Sequence, residues 1–211
     1  MKMGSWHLRL SFCVCTVLLY AGFCFGADLK SAKRAYEQKN YGTALKELTP
    51  LAEQGNAEAQ VLLGNMYLTG RGVLTDPDRA VKLFNASAEQ GNADAQFFLG
   101  SIYLLPHTDI PEGLKWLRLS AEQGNQDAQL LLGKSYLEGL KEVPADPVQA
   151  DMWFRLAAHQ NLPFYENQLH AAERQMNSAQ IAQGKALAAS WKPKVATASG
   201  AKTAAQAERK N

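Results

Sequence analysis

Cysteine is missing from everything after residue 24: the three in the chain are Cys13, Cys15 and Cys24. Residues 28 to 211 can therefore form no disulfide and no thiolate metal site, and their stability has to come from packing. Long apolar runs are missing as well. A membrane-spanning helix needs about 20 apolar residues; the 14-residue stretch FCVCTVLLYAGFCF at 12–25 falls short, and nothing after it comes closer. The phosphate loop, the dinucleotide-binding glycine pattern, HExxH and GxSxG do not occur, and the serines and histidines show no triad arrangement. Chemistry has few footholds here, so organisation comes first.

The two ends of the chain separate from its middle. MKMGSWHLRL carries Lys2 and Arg9, the apolar stretch follows, and the small residues Gly26 and Ala27 come after it. That order is expected of a secretory signal peptide over 1–27, giving an exported chain that starts near Ala27 or Asp28, has no transmembrane span and resides in the periplasm or outside the cell. Lipidation at Cys24 is disfavoured because the bulky Phe23 precedes it. At the other end, KPKVATASGAKTAAQAERKN (192–211) holds five basic residues against Glu208, while 28–191 holds 15 basic and 19 acidic ones. The tail lacks aromatics and apolar periodicity and is expected to be disordered and solvated. A few dispersed charges make a weak footprint for nucleic acid, so no nucleic-acid partner is expected.

What the middle does contain is repetition. AEQGN stands at 52–56, 88–92 and 121–125, and a period of this size marks a repeat array. The units run 52–87, 88–120 and 121–158, and their unequal lengths arise between a shared tyrosine (Tyr67, Tyr103, Tyr136) and the second helix of each unit, as expected of a surface loop. The pentapeptide itself is expected to join two helices. Ala, Glu and Gln end one helix, glycine closes it in the left-handed conformation, and Asn56, Asn92 and Asn125 cap the next. Glu58, Asp94 and Asp127 then sit in a first turn, where the helix dipole favours them. Second helices start at DPD (76–78) and DP (146–147); in the middle unit, Ile110 before Pro111 leaves the cap less clear.

Gly64, Gly100 and Gly133 each stand inside a first helix, three residues before the shared tyrosine. Interior glycine costs about 1 kcal/mol relative to alanine, so a close helix contact is expected at each. The second helices offer Ala80, Leu83 and Phe84; Gly113, Trp116 and Leu117; Ala150, Trp153 and Phe154. These columns are expected to interlock between adjacent units, with both tryptophans in the core.

AEQGNAEAQVLLGNMYLTGRGV, the alanine of the following helix and ADMWFRLAA (150–158) resemble the Sel-one-like repeat, a relative of the tetratricopeptide repeats. The resemblance covers 52–158. Residues 28–51 resemble a shorter tetratricopeptide-like pair, and 159–191 the helices that close such arrays, with AHQNL (158–162) a degenerate echo of the junction and Asn177 and Gln180 a capping box. The resemblance implies an all-α fold, a right-handed α-solenoid of antiparallel helix pairs. It also implies a non-enzymatic, cofactor-free scaffold that holds protein or peptide partners on its concave face. The alternative is hydrolysis of a beta-lactam or cell-wall substrate, as linked to exported cysteine-rich relatives; those relatives use paired cysteines, which 28–211 lacks.

Laid over tetratricopeptide arrays, three columns face inward: Val61, Phe97 and Leu130; Asn65, Ser101 and Lys134; Leu68, Leu104 and Leu137. Two readings stand for the apolar columns, a partner-binding groove or packing of first helix on first helix, and Phe97 is the residue that separates them. Elsewhere, Glu166 and His170 lie four apart near His159 and read as a surface pair rather than a metal site, since no third ligand converges on them. No metal is expected. The sequon at Asn85 falls within a helix and reads as chance.

Overall fold

The computed structural model describes residues 28–104, 109–141, 143–160 and 162–194. The expected signal peptide, the tail beyond Lys194 and most of the LPHTDI loop lie outside the described residues. Within them the chain forms ten α-helices and one 3₁₀ turn: α1 Leu29–Glu37, α2 Tyr41–Glu53, α3 Ala57–Thr69, α4 Pro77–Ala88, α5 Ala93–Leu104, α6 Ile110–Glu122, α7 Gln126–Glu138, α8 Pro147–Ala157, the turn Ala158–Gln160, α9 Pro163–Glu173 and α10 Ser178–Ser190. Each helix from α1 to α8 packs on the next in sequence, giving an all-α solenoid. No helix among the described residues is long and apolar enough to cross a membrane.

AEQGN is the hinge of this architecture, and each letter has a physical task. Gly55, Gly91 and Gly124 stand at φ of +87°, +91° and +94°, a region that side chains with a Cβ rarely enter. The asparagine amide after each donates to a carbonyl five residues back, on Leu51, Ser87 or Ser120, at 3.0 to 3.3 Å. The asparagine side chain turns forward, accepting from the amides of Ala59, Ala95 and Ala128 at 2.9 to 3.0 Å. One residue thus finishes one helix and caps the next.

The remaining letters build a ladder that the periodicity did not disclose. The buried Gln60, Gln96 and Gln129, fourth in each first helix, donate to the carbonyls of Ala52, Ala88 and Ala121, the first letters of the pentapeptides. Gln90 and Gln123, the third letters, donate in turn to the side-chain oxygens of Gln60 and Gln96, at 3.0 and 2.7 Å. Ser87 and Ser120, just ahead of the pentapeptide, donate to the carbonyls of Ala57 and Ala93. A buried amide left unpaired costs about 1 to 3 kcal/mol, so these bonds tie the register of each unit to its neighbour.

The glycine contacts fall within units, not between them as expected. A Cβ on Gly64 would lie 2.8 Å from the Phe84 ring, and on Gly133 3.0 Å from Phe154; on Gly100 it would lie 2.6 Å from Leu117 Cγ and 2.9 Å from the Gly113 carbonyl oxygen. Ring on glycine holds the outer two pairs together. In the middle pair, Leu117 replaces the ring and Gly113 replaces alanine, so α5 and α6 approach backbone to backbone. Trp116 and Trp153 are buried in the core that runs between the pairs, as expected.

Second helices begin alike. Asp76, Asp109 and Asp146 each cap their helix, so the middle unit has a full aspartate cap that Ile110 obscured in the sequence. The amide of each aspartate also donates to the carbonyl of the shared tyrosine, at 2.9, 3.3 and 2.8 Å. This clamp closes the loop whatever its length, which is why insertions collect there.

The array closes on weaker joints. Leu162, where the units have asparagine, gives α9 no side-chain cap, and the 3₁₀ turn replaces the glycine turn. The expected Asn177 and Gln180 capping box is present, both bonds at 2.9 Å. α10 lies on α8 with Gly184 directly over the fully buried Asp151. Arg155 ties the joint together, donating to Asp151 Oδ2 at 2.7 Å and to Glu173 of α9 at 2.5 Å.

Candidate functional site

The first helices α1, α3, α5, α7 and α9 share a face, with side-chain bonds linking α1 to α3, α5 to the cap of α7, and α7 to α9. Lys33 pairs with Glu58, Tyr36 donates to Asn65 Oδ1 at 3.0 Å, Asn125 donates to Asp94 Oδ1 at 2.9 Å, and Tyr165 donates to Asp127 Oδ1 at 2.7 Å. Between them lies a groove of about 230 Å³. Its floor is apolar, with Val61 and Leu62 from α3 and Phe97 and Phe98 from α5. Tyr36, Asn65, Asp94, Asn125 and Asp127 form its sides.

Three of the nine residues assigned to the inner columns meet here: Val61, Asn65 and Phe97. Val61 is only 7% exposed and forms floor. Phe97 is half-buried, its ring 5.6 Å from that of Phe98, which stacks at 4.8 Å on Phe84 of the core. Asn65 lines the groove with its oxygen already engaged by Tyr36, whose hydroxyl accepts in turn from Arg71. Ser101 donates to the Phe97 carbonyl of its own helix. Leu104 and Leu130, 6% and 8% exposed, belong to the core: Leu104 packs over Gly113, and Leu130 sits in the cluster with Phe154 and Leu169. Leu68 is half-buried against the cluster of Leu63 and Phe84, Leu137 against that of Leu130, and Lys134 is half-buried on α7, outside the groove lining. The expected columns are thus partly groove and partly packing.

Tyr36, Asp94 and Asp127 were not among the inner-column residues. Their signal was present in the sequence, since Glu58, Asp94 and Asp127 occupy one register in three units, but the helix dipole accounts for an acidic first turn by itself. The structure adds that Tyr165 is held from the next helix. Burial, reinforced by its bond to Asp127, pushes its hydroxyl up to about 12, so it remains a neutral donor.

A second cleft, of about 580 Å³, lies where the ends of α7 and α8 face α10. Gln129, Arg155, His159, Lys185 and Trp191 line it. At its rim, Lys194 donates its amide to the Glu122 carbonyl at 2.7 Å and its ammonium to the Glu122 carboxylate at 2.9 Å. His170 lies apart from it and pairs with Glu173 at 3.3 Å. No cluster of three or more metal-ligating side chains occurs among the described residues. Behind this cleft, burial pushes the Asp151 carboxyl above the usual carboxylate range, against the pull of Arg155. Its Oδ1 has no hydrogen-bond partner.

The Sel1 repeat family matches residues 57–92, 93–125 and 126–162, each match opening on a first helix. Two solved structures share the fold. One is c5321, a protective antigen present in uropathogenic Escherichia coli strains displaying an SLR fold, at 32% identity and a TM-score of 0.62 over 71% of this chain and 34% of that one. The other is a Sel1 repeat protein from Oxalobacter formigenes, at 30% identity and a TM-score of 0.61 over 67% of this chain and 59% of that one. The chain thus spans about a third to three fifths of the length of these relatives. No curated protein matches it. Sel1 repeats generally serve as protein-interaction scaffolds, and with three of them over 57–162 the chain belongs to the Sel1 repeat family.

Proposed function

We propose that this protein is an exported scaffold that holds a peptide or protein segment against the face of its first helices, acting as an adaptor in an envelope or secreted complex. The observation that carries this reading is the groove over Val61, Leu62, Phe97 and Phe98, an apolar floor between polar sides on the face that the repeats leave open. A half-buried aromatic at such a site is an anchor of the kind that dominates binding energy. Export rests on Lys2, Arg9, the apolar stretch and Ala27, and leads to the periplasm or the medium. The hydrolase alternative has less to stand on, since the cysteine pairs of the relatives linked to it have no counterpart in 28–211.

The test places a photocrosslinking residue at Asn65 in the groove and, in a second protein, at the exposed Lys82 on α4. Extracts of the exported fraction are irradiated with each, and the products identified by mass spectrometry. A partner captured at Asn65 and not at Lys82, and lost at least tenfold, about 1.4 kcal/mol, in Phe97→Ala, supports the reading. Equal capture at both positions refutes it.

A further inference from the structure

Two carboxylates, Asp94 and Asp127, line the groove and no basic side chain does, although Arg71 stands behind Tyr36 and the charge of Lys33 reaches Asp94 weakly. At the groove's end nearest α1, Glu58 is paired with Lys33. Asp94 and Asp127, further along the same row, are held by neutral donors, the Asn125 amide and the Tyr165 hydroxyl, and each engages one oxygen only. Neither carboxylate has an ion-pair partner among the described residues, and both residues are exposed. The helix dipole accounts for an acid in each first turn. It does not account for a phenol and an amide reaching from neighbouring helices to orient the carboxylates without discharging them, nor for the aromatic rings of Tyr36, Phe97 and Phe98 on the same groove.

Carboxylates above an aromatic floor make a receptor for a cation: the acids pair with it, and the negative faces of the rings attract it. At about 230 Å³ the groove lies below the usual 300 to 1,000 Å³ of small-molecule pockets. It suits one long side chain of a larger partner.

We infer that the groove recognises a basic side chain, arginine or lysine, on a partner polypeptide, with Asp94 and Asp127 pairing its charge and Phe97 and Phe98 packing its aliphatic stem. This rests on the groove assignment made above and adds the partner's chemistry to it. Arginine suits the site better than lysine, since its planar group both pairs with carboxylates and stacks on rings.

The experiment uses the full chain, 15N-labelled, and three peptides that differ at one central position: Gly-Leu-Arg-Leu-Gly amide, its citrulline twin, which keeps the shape without the charge, and its glutamate twin. Binding is read from shifts of the Asn65 and Asn125 side-chain amide signals. The arginine peptide is expected to shift both, the citrulline twin to bind at least tenfold more weakly and the glutamate twin not to register. Raising salt from 0.05 to 0.5 M should weaken the arginine peptide several-fold, because partly exposed pairs are screened. Asp94→Asn with Asp127→Asn keeps an acceptor for both donors, and should lose the preference for arginine over citrulline while the melting temperature falls by no more than a few degrees, from the lost helix-dipole contribution. A citrulline twin that binds as well as the arginine peptide, a preference that survives in the double variant, or no shift at millimolar peptide overturns the inference. The groove itself is judged separately: capture at Asn65 that depends on Phe97 but not on Asp94 and Asp127 keeps the groove and removes the cation.

Discussion

Replacing Gly100 by alanine adds one methyl group, and the structure says where it would go. The new Cβ would stand 2.6 Å from Leu117 Cγ, 2.9 Å from Leu117 Cδ2 and 2.9 Å from the Gly113 carbonyl oxygen. The first atom is the branch point of a fully buried leucine and the last is backbone, so neither can swing aside; α5 and α6 must separate. Overpacking of this kind costs about 1 to 3 kcal/mol, and an immovable neighbour puts it in the upper half of that range. Alanine returns about 1 kcal/mol of helix propensity, leaving a net loss of about 1 to 2 kcal/mol. For a domain of this size that is a fall in melting temperature of about 2 to 8 °C.

Gly133→Ala supplies the contrast. The three atoms nearest its Cβ are ring atoms of Phe154, at 3.0 to 3.1 Å, and a ring can shift by tenths of an ångström. The propensity gain then nearly offsets the crowding, and the change in stability should stay within about 0.5 kcal/mol. Thermal melts of the two variants followed by circular dichroism decide the matter. Equal losses, or a Gly100 variant as stable as the parent, would refute the argument that backbone proximity, rather than glycine as such, sets the cost.

Other outcomes follow from single contacts. Lys39, at φ +60° in the turn where the later junctions have glycine, should become glycine with a gain of about 0.5 to 1 kcal/mol in chemical denaturation; a loss would mean its side chain stabilises the turn. Gln96→Leu strands the Ala88 carbonyl and the Gln123 amide, and should cost about 1 to 3 kcal/mol by the same assay. Gly184→Ala would set a Cβ 2.6 Å from Asp151 Cβ and 2.8 Å from its Cγ. It should release α10 and speed amide hydrogen exchange there, while α3 to α6 keep parental rates. Burial raises the folded pKa of Asp151 above its unfolded value, so its contribution is fully present below an unfolded pKa of about 3.9 and is lost as pH rises through the folded pKa. Melting temperatures should therefore show the parent losing ground to Asp151→Asn as pH rises above about 4; a gap constant with pH would contradict that sign.

What the sequence disclosed and what it hid divide along a physical line. Caps and turns are local, so Asn56, Asn92 and Asn125, the left-handed glycines and the Asn177 box could be read one residue at a time. The Asp109 cap was less clear because Ile110 moved proline one place along, although the cap depends only on an oxygen within reach of the Glu112 amide. Packing direction is not local. Matching columns of glycine and aromatic residues say that something fits together, but the same columns serve contacts within a unit or between units, and only the fold shows Phe84 lying on Gly64 of its own pair. The groove was half legible for a related reason. Helical period put Val61, Phe97 and Leu130 in one column, yet Val61 and Leu130 are both buried in the core and only Phe97, between them, is partly exposed, so the column is groove at its middle and packing at its ends. The EQKN turn at 37–40 is a further copy of the junction with lysine for glycine, and its mismatched letter concealed it.

The pentapeptide recurs because it answers to two neighbours at once. Its glycine and asparagine shape a turn, which many sequences can do, but its alanine carbonyl and glutamine amide must meet the buried glutamines of adjoining first helices. A change at Gln96 disturbs the end of the helix before its own and the unit after, through Ala88 and Gln123. This coupling lies near the turns between helices, and leaves two regions free to vary: the loops clamped between the shared tyrosine and the capping aspartate, and the middle of the first-helix face. The loops differ from unit to unit in length. The face differs in side chain, with Val61, Phe97 and Leu130 standing in one register, and at Phe97, the half-buried member, a single substitution alters the surface without touching the ladder. The partner-specific chemistry of this chain is therefore expected on that face, and Phe97→Leu, at the half-buried member of that register, should change what the groove holds while the register of the array stays fixed.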